Sequence, residues 1–530
     1  MKKQLLILVI LASMQNAVAQ PLFQNIYGSN NPTEVHFASS PDAYYLVHDA
    51  GFPSLITELA KTDLNGNVIW TKTINYSVSS SDVYRIKYDS NSLLLTGATY
   101  NAGYRNYFAK LDTAGNVLWT NEINYGDIND NTRIHPLSSG YLTVGHRDCV
   151  CGASSYTFDI TLSRFDATGN LLWAKAYGNN SYEFLANASI ITPNGDLITA
   201  GNYGLRVPND YDPMLARFDA SGNLLWMKTF EDTTGFFTYF QPTDIGATPD
   251  GNYVMTGFSV NTNFNFDAQV IKFDDNGNII WAKRPYQIGW EEYGRSIIVD
   301  SQDNIVVAGP YYLSSDYGDF FMKLDSAGNL LGTTKIKNTS NNLFHNVYSS
   351  HGEDLVERPG NGYVYSTYFY QTVYKHCLLT TDYIGTTGCP SLGGTYPFSI
   401  QNVTWTPTTF TNLPSAQTNL TGTMVAYTDS SLTANVVDIC SLVGVNEINS
   451  INDEINIYPN PVNSELNIQS RELISEIKIY DVVGKEFFKS QLQTKSNDFK
   501  LQTSNYTTGV YFIEIISGDK KEIIKFLKVD

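Results

Sequence analysis

The sequence has 530 residues and a formal net charge of −18. So acidic a chain excludes a nucleic-acid partner, whose phosphates need a basic face. Charged residues make up 16% and aromatics 13%. Short apolar runs broken by Gly, Asn, Ser and Thr exclude a disordered chain and favour an all-β protein with many turns.

The chain opens MKKQLLILVILASMQNAVAQ. Lys2 and Lys3, an apolar run from Leu5 to Ala12, and Ala17-Val18-Ala19 read as a secretory signal peptide over 1–19, cleaved between Ala19 and Gln20. The apolar run is shorter than the roughly 20 residues that span a bilayer. An exported chain can form disulfides, but the five cysteines, Cys149, Cys151, Cys377, Cys389 and Cys440, leave at least one unpaired. Cys389 and Cys440 bracket one segment and are the expected pair.

From residue 60 a phrase recurs: AKTDLNGNVIW (60–70), AKLDTAGNVLW (109–119), SRFDATGNLLW (163–173), ARFDASGNLLW (216–226), IKFDDNGNIIW (271–281) and MKLDSAGNLLG (322–332). The aspartates Asp63, Asp112, Asp166, Asp219, Asp274 and Asp325 stand 49, 54, 53, 55 and 51 residues apart. That period, with β composition, points to the four-stranded blades of a β-propeller. The phrase is the hairpin between third and fourth strands. Its Asp bonds backbone N–H groups ahead of it, and its Gly supplies positive φ. Trp70, Trp119, Trp173, Trp226 and Trp281 share one register, each with roughly 150–250 Å² to bury, and are expected between blades. Gly332 replaces the sixth Trp. The phrase also has a calcium-binding reading, but one carboxylate per turn falls short of the roughly six to eight oxygens calcium takes.

A seventh unit is implied by EDLVERPGNGYVYSTYFY (353–370) and HCLLTTDYIG (376–385), where Asp382 and Gly385 keep the spacing. Past Gly385 the pattern fails, and Pro390 discourages further pairing. LFQNIYG (22–28) aligns with LLWAKAYG (171–178). The expectation is a seven-bladed propeller over 20–390, its last blade completed by a strand just behind the signal peptide. Closure of that kind removes exposed sheet edges. Residues 391–440 fit neither pattern and read as an appended β segment packed on the propeller and tied by Cys389–Cys440.

After Val445, 23 of 85 residues are charged, against 63 of the 445 before. This shift marks a boundary, with 441–454 as linker and 455–530 as a separate domain of short alternating strands that suit a β-sandwich. IYPNPVNSELNI (457–468), IKIYDVVGKE (477–486), TTGVYFIEI (507–515) and KFLKV (525–529) together resemble the type A C-terminal sorting domain of the type IX secretion system of Bacteroidota. The motif residues are Tyr458, Pro459, Asn460, Pro461, Gly484 and Gly509. The resemblance implies an immunoglobulin-like sandwich recognised by the outer-membrane translocon and sorting machinery. It also implies cleavage near the linker, and a cargo that is released or attached to surface lipopolysaccharide. The destination is then the cell surface or the exterior, across both membranes. The repeat region resembles repeat proteins of the same bacteria, a likeness that carries no activity.

No G-x-S-x-G, H-E-x-x-H, Walker A or dinucleotide fingerprint is present, and no cofactor is implied. His146, Cys149 and Cys151 are the one dense soft-ligand group; it lacks a fourth ligand, so a loop is the better reading than a metal site. Candidate binding residues come from the first strands, which line a propeller channel: Arg85, Arg133, Asp244, Arg295 and Asp354. Tyrosines around 100–107, 203–211 and 311–317 offer stacking surfaces for sugars. Two function classes follow. One is a binding or adhesion module for a glycan or protein. The other is a propeller glycosidase or lyase, which would need a pair of carboxylates.

Overall fold

The computed structural model describes 24–27, the blade strands and most of their turns from 35 to 383, the short strands between 393 and 438, and 455–529 apart from 482–484 and 518–519. The predicted signal peptide with Ala19 and Gln20, Asp354, Cys389, Cys440, the linker 441–454 and Gly484 lie outside the described residues. The chain divides into two compact units between Gly444 and Val445.

The first unit is a propeller of seven four-stranded antiparallel blades. Blade four shows the pattern: Glu183–Ile191, Leu197–Leu205, Asp210–Phe218 and Leu224–Glu231 pair in chain order. Apolar residues of each blade interdigitate with the next, as where Ile198, Ala200 and Leu215 meet Phe240, Met255 and Ile271 of blade five. In blades one to six the turn between first and second strands and the hairpin between third and fourth strands lie at the same end, the turn end. The other two connections lie at the opposite, loop end.

The repeated phrase builds a latch between blades. Asp166 Oδ1 accepts the Thr168 and Asn170 amide N–H groups, each at 2.9 Å, and Oδ2 accepts Asn170 Nδ2 at 2.9 Å. All six equivalent glycines have φ between 73° and 87°, a region closed to most side chains. They have a second duty. A methyl group on Gly115, Gly169, Gly222 or Gly277 would lie 2.4–2.8 Å from the indole of Trp70, Trp119, Trp173 or Trp226 in the preceding blade. The Asn of the phrase faces both ways: Asn116 donates to its own Asp112 at 2.7 Å and accepts Lys72 Nζ of blade one at 2.7 Å. Lys228 reaches Asn278 at 2.7 Å in the same manner. The aspartates are thus committed to the turn, which accounts for the phrase without calcium.

The ring closes with strands from both ends of the described unit. Gln24–Tyr27 pairs antiparallel with Tyr374–Thr381, from Gln24↔Leu379 to Tyr27↔His376, as the outer strand of blade seven. Residues 391–440 depart from the expectation of one appended segment. Their short strands are spread round the rim, each added antiparallel to the outer strand of one blade. Gly393–Thr395 joins blade six, Ser399–Asn402 blade five, Thr406–Thr409 blade four and Ser415–Gln417 blade three. Gly422–Met424 then joins blade two, Thr428–Ser431 blade one, and Val437–Asp438 pairs with Gln24–Tyr27 in blade seven. The chain makes a full circuit against the blade order. Each rim strand is two to four residues long, short enough to blunt edge-to-edge association.

The second unit is a β-sheet domain of Ile455–Tyr458, Glu465–Asp481, Glu486–Gln502, Gly509–Ser517 and Lys520–Lys528. Register breaks between Gln469 and Glu476 let one long strand pair with Ile455–Tyr458 in its first half and Gly509–Ser517 in its second. Leu466, Ile468, Ile477, Ile513 and Phe526 lie in its core. Asn460 of the Pro-Asn-Pro turn clamps the last strand: Nδ2 donates to Lys525 O at 3.0 Å, and Oδ1 accepts Leu527 N–H at 2.9 Å. Gly509 opens the strand beside it.

Candidate functional site

First strands surround the axis, as the sequence implied. At the turn end they line an open axial depression of about 320 Å³. Its walls are mostly apolar, with Phe37, Ile86, Ile245, Ile297 and Leu355 contributed by five blades, and Lys87 among them. Asp244 also reaches it.

The four described channel candidates, Arg85, Arg133, Asp244 and Arg295, are buried. Arg133 is 1% exposed. Its Nε donates to Asn187 O of blade four at 3.1 Å, and its Nη2 to Thr243 O of blade five at 2.6 Å. Its Nη1 lies 3.3 Å from Asp244 Oδ1. Asp244 in turn accepts the Ile245 N–H and, at 2.9 Å, the Ile297 N–H of blade six. One ion pair therefore ties four blades. Arg85 is buried, donates to Tyr84 O at 2.8 Å and lies 3.4 Å from both ring nitrogens of His36. Arg295 lies over the rings of Phe258 and Tyr293. Through these contacts Arg133 and Asp244 join blades three to six.

Among the tyrosines, Tyr107 and Tyr311 are fully buried, and Tyr203 stacks on Tyr182. Burial raises the Tyr203 hydroxyl well above its ordinary value. His146 is buried edge-on to Phe158, with Nδ1 at 3.3 Å from Ala186 O. Among the described residues no group of three His, Cys, Asp or Glu side chains could hold a metal.

The junction of blades five and six at the loop end carries a group that sequence reasoning did not single out. Glu291–Glu292 pairs with Tyr311–Tyr312 as a short inner strand of blade six. Glu291 is half-buried, beside an aromatic cluster of Phe258, Phe266, Tyr293 and Tyr312. Burial raises its carboxyl above the usual range; the Tyr293 hydroxyl, donating at 3.3 Å, opposes the rise, and the Asp267 carboxylate adds to it. Asp267 is buried against Arg284 at 3.1 Å. No motif announces Glu291, because its neighbours come from strands paired only in the fold.

Residues 456–529 match the family model described as Secretion system C-terminal sorting domain. The C-terminal unit is a type IX secretion sorting domain. Its Asn460 clamp and Tyr458-Pro459 turn fall inside the matched region. The sorting domain implies interaction with the type IX secretion machinery and export to the cell surface or extracellular space. Among solved structures, the chain is similar to PorZ, a bacterial surface component of the type IX secretion system of Porphyromonas gingivalis. Identity is 11%, over 95% of this chain and 100% of that one, with a TM-score of 0.21. It is also similar to a xylan β-1,4-xylosidase from Bacillus halodurans, at 10% identity over 77% of this chain and 99% of that one, with a TM-score of 0.27. At these scores neither likeness bears on activity or ligand. A search of curated proteins finds no match.

Proposed function

We propose that the chain is an exported propeller that acts as a binding or adhesion module for a glycan or protein. A signal peptide carries it across the inner membrane, and the sorting domain presents it to the outer-membrane translocon. After cleavage near 441–454 the propeller is released or attached to surface lipopolysaccharide. The observation that carries the binding reading is the use of the channel charges. Arg133 and Asp244 are consumed by backbone groups and each other, leaving a shaped, mostly apolar depression rather than a reactive one. A glycan array probed with the full chain tests it: binding of a defined glycan set supports the module, and no binding to glycans or to surface proteins refutes it.

A second reading, a propeller enzyme acting on polysaccharide, is favoured by Glu291. A half-buried carboxyl raised by burial is one part of the setting a general acid needs. A polysaccharide-degradation assay on the same preparation separates the two. Activity lost in Glu291→Gln, with glycan binding kept, supports the enzyme; absence of hydrolysis in the parent chain removes it.

A further inference from the structure

Blade seven is seated differently from the others. It takes no tryptophan from blade six, where Gly332 stands in that register with open space around it. It combines Leu355–Arg358, Gly362–Tyr370 and Tyr374–Thr381 with the distant strand Gln24–Tyr27. Against blade one it presents a buried relay. Ser366 Oγ lies 2.9 Å from His376 Nε2. His376 Nδ1 lies 3.4 Å from His48 Nδ1 of blade one, with the rings edge-on at 87°. His48 Nε2 lies 2.7 Å from Glu58 Oε2. His48, Glu58, Ser366 and His376 are all buried, and His376 is fully so.

Proton counting sets a limit on this relay. The two imidazoles have four ring nitrogens between them, and the Nδ1–Nδ1 contact holds only one proton. One proton can therefore be added to the neutral pair, with the charge on His48 balanced by Glu58. A further one would set two N–H groups head to head. The surroundings oppose that second charge. His36 adds a third imidazole from the first strand of blade one, and Arg85 of blade two lies against His36. Asp49, the next residue after His48, is turned to blade two, where it accepts the Val83 N–H at 2.8 Å. Cys377, the next after His376, faces the other side, toward Asp319 of blade six. Glu58 is thus the anion placed to answer the histidines.

We infer that the seam between blades seven and one is an acid-sensitive latch, which loosens the closing blade when the coupled His48–His376 pair must hold more protons than its contacts accommodate. Burial first, then His48 and His36, holds the His376 pKa well below its usual value. A lowered folded value gives stability that is complete above the unfolded value near 6.5 and is lost as pH falls below it.

Hydrogen exchange of the full chain tests this, with rates corrected for intrinsic pH dependence. Because the Asp319 carboxyl at the other seam of blade seven acts in the opposite sense over the same range, the comparison is made in an Asp319→Asn chain: from about pH 7.5 to about pH 5, amides of Tyr374–Thr381 and Ala43–Ala50 should lose protection by about tenfold or more, while Leu197–Leu205 in blade four keeps its own. In His376→Gln the side chain can still bond Ser366 but cannot charge, so blade seven should hold its protection at the lower pH. Protection equal at the two pH values in the Asp319→Asn chain, or a loss shared evenly by blade four, overturns the latch. So does an equal loss in His376→Gln. Should that variant not fold, the pH comparison on the Asp319→Asn chain decides alone.

Discussion

The latch between blades makes a prediction that separates two roles of one glycine. Gly222 has φ of 75°, and a methyl group there would lie 2.4 Å from Trp173 Cη2. Gly195, in the turn of the same blade, has φ of 88° with nothing within 4 Å. Placing an alanine in the left-handed region costs about 1–2 kcal/mol. Forcing a methyl into an occupied contact adds about 1–3 kcal/mol. Gly195→Ala should therefore lose about 1–2 kcal/mol and Gly222→Ala about 2–5 kcal/mol. In a Trp173→Ala background the contact is gone, so Gly222→Ala should fall back to the backbone cost alone. Urea unfolding of the full chain, followed by circular dichroism, measures all four variants. Equal losses for the two alanines, or an unchanged Gly222→Ala penalty without Trp173, would refute the inter-blade role of the glycine.

Three further outcomes follow from the same geometry. The Asn170 and Thr168 donors hold the exposed Asp166 carboxyl at about 2, so its stabilising effect is present above the unfolded value near 3.8 and is lost as pH falls toward 2; the melting temperature of Asp166→Asn should drop less than wild type over that range. Arg133→Met strands the buried Asp244 carboxylate and should cost about 3–5 kcal/mol in thermal or urea unfolding, and Arg133→Lys should not restore it, because a single ammonium cannot reach Asn187, Thr243 and Asp244 together. Burial lifts the Asp319 carboxyl to about 7, against hydrogen bonds from Thr367 and Tyr365. Its contribution is complete below 3.8 and lost as pH rises through 7, so Asp319→Asn should gain melting temperature relative to wild type from about pH 5 to about pH 8, with His376 cancelling because both chains carry it.

The local chemistry of the repeat was legible in the sequence. Asp63 to Asn67 and its five counterparts name their own turn. The failure after Gly385 pointed to the strand Gln24–Tyr27 as the missing outer strand, and the register with Tyr374–Thr381 bears that out. The rim circuit was not legible. A strand such as Val437–Asp438 is too short to show alternation, and what fixes it is the free edge of its partner. The cross-ring contacts were hidden for a related reason. Arg133 and Asp244 stand 111 positions apart and His48 and His376 stand 328 apart; each looks like an isolated polar residue until the ring brings them together. Glu291 belongs to the same class.

The sixth unit shows why the closing blade had to be built by other means. A latch needs a tryptophan and a lysine from one blade and a glycine and an asparagine from the next. Unit six has Gly332 and Thr334 where unit three has Trp173 and Lys175, and unit seven has Thr386 where the other hairpins have asparagine. Both halves of the latch vanish at one seam. Hydrogen bonds take its place. Ser301 of blade six donates through its N–H and its hydroxyl to Glu357 at 2.7 Å, and Tyr363 of blade seven donates to Asp300 at 2.9 Å. Thr367 donates to Asp319 at 2.9 Å. Blade seven is also the blade whose outer strand must come from more than 300 residues away in sequence. Contacts of such long sequence separation form late, after the loop they close has been ordered by local pairing. The ring therefore closes at a blade where these polar contacts join apolar packing on both sides, and the rim strand Val437–Asp438 covers Gln24–Tyr27. Because Val437–Asp438 lies only a short way ahead of the sorting domain in sequence, the propeller cannot finish closing until nearly all of the chain before that domain is in place.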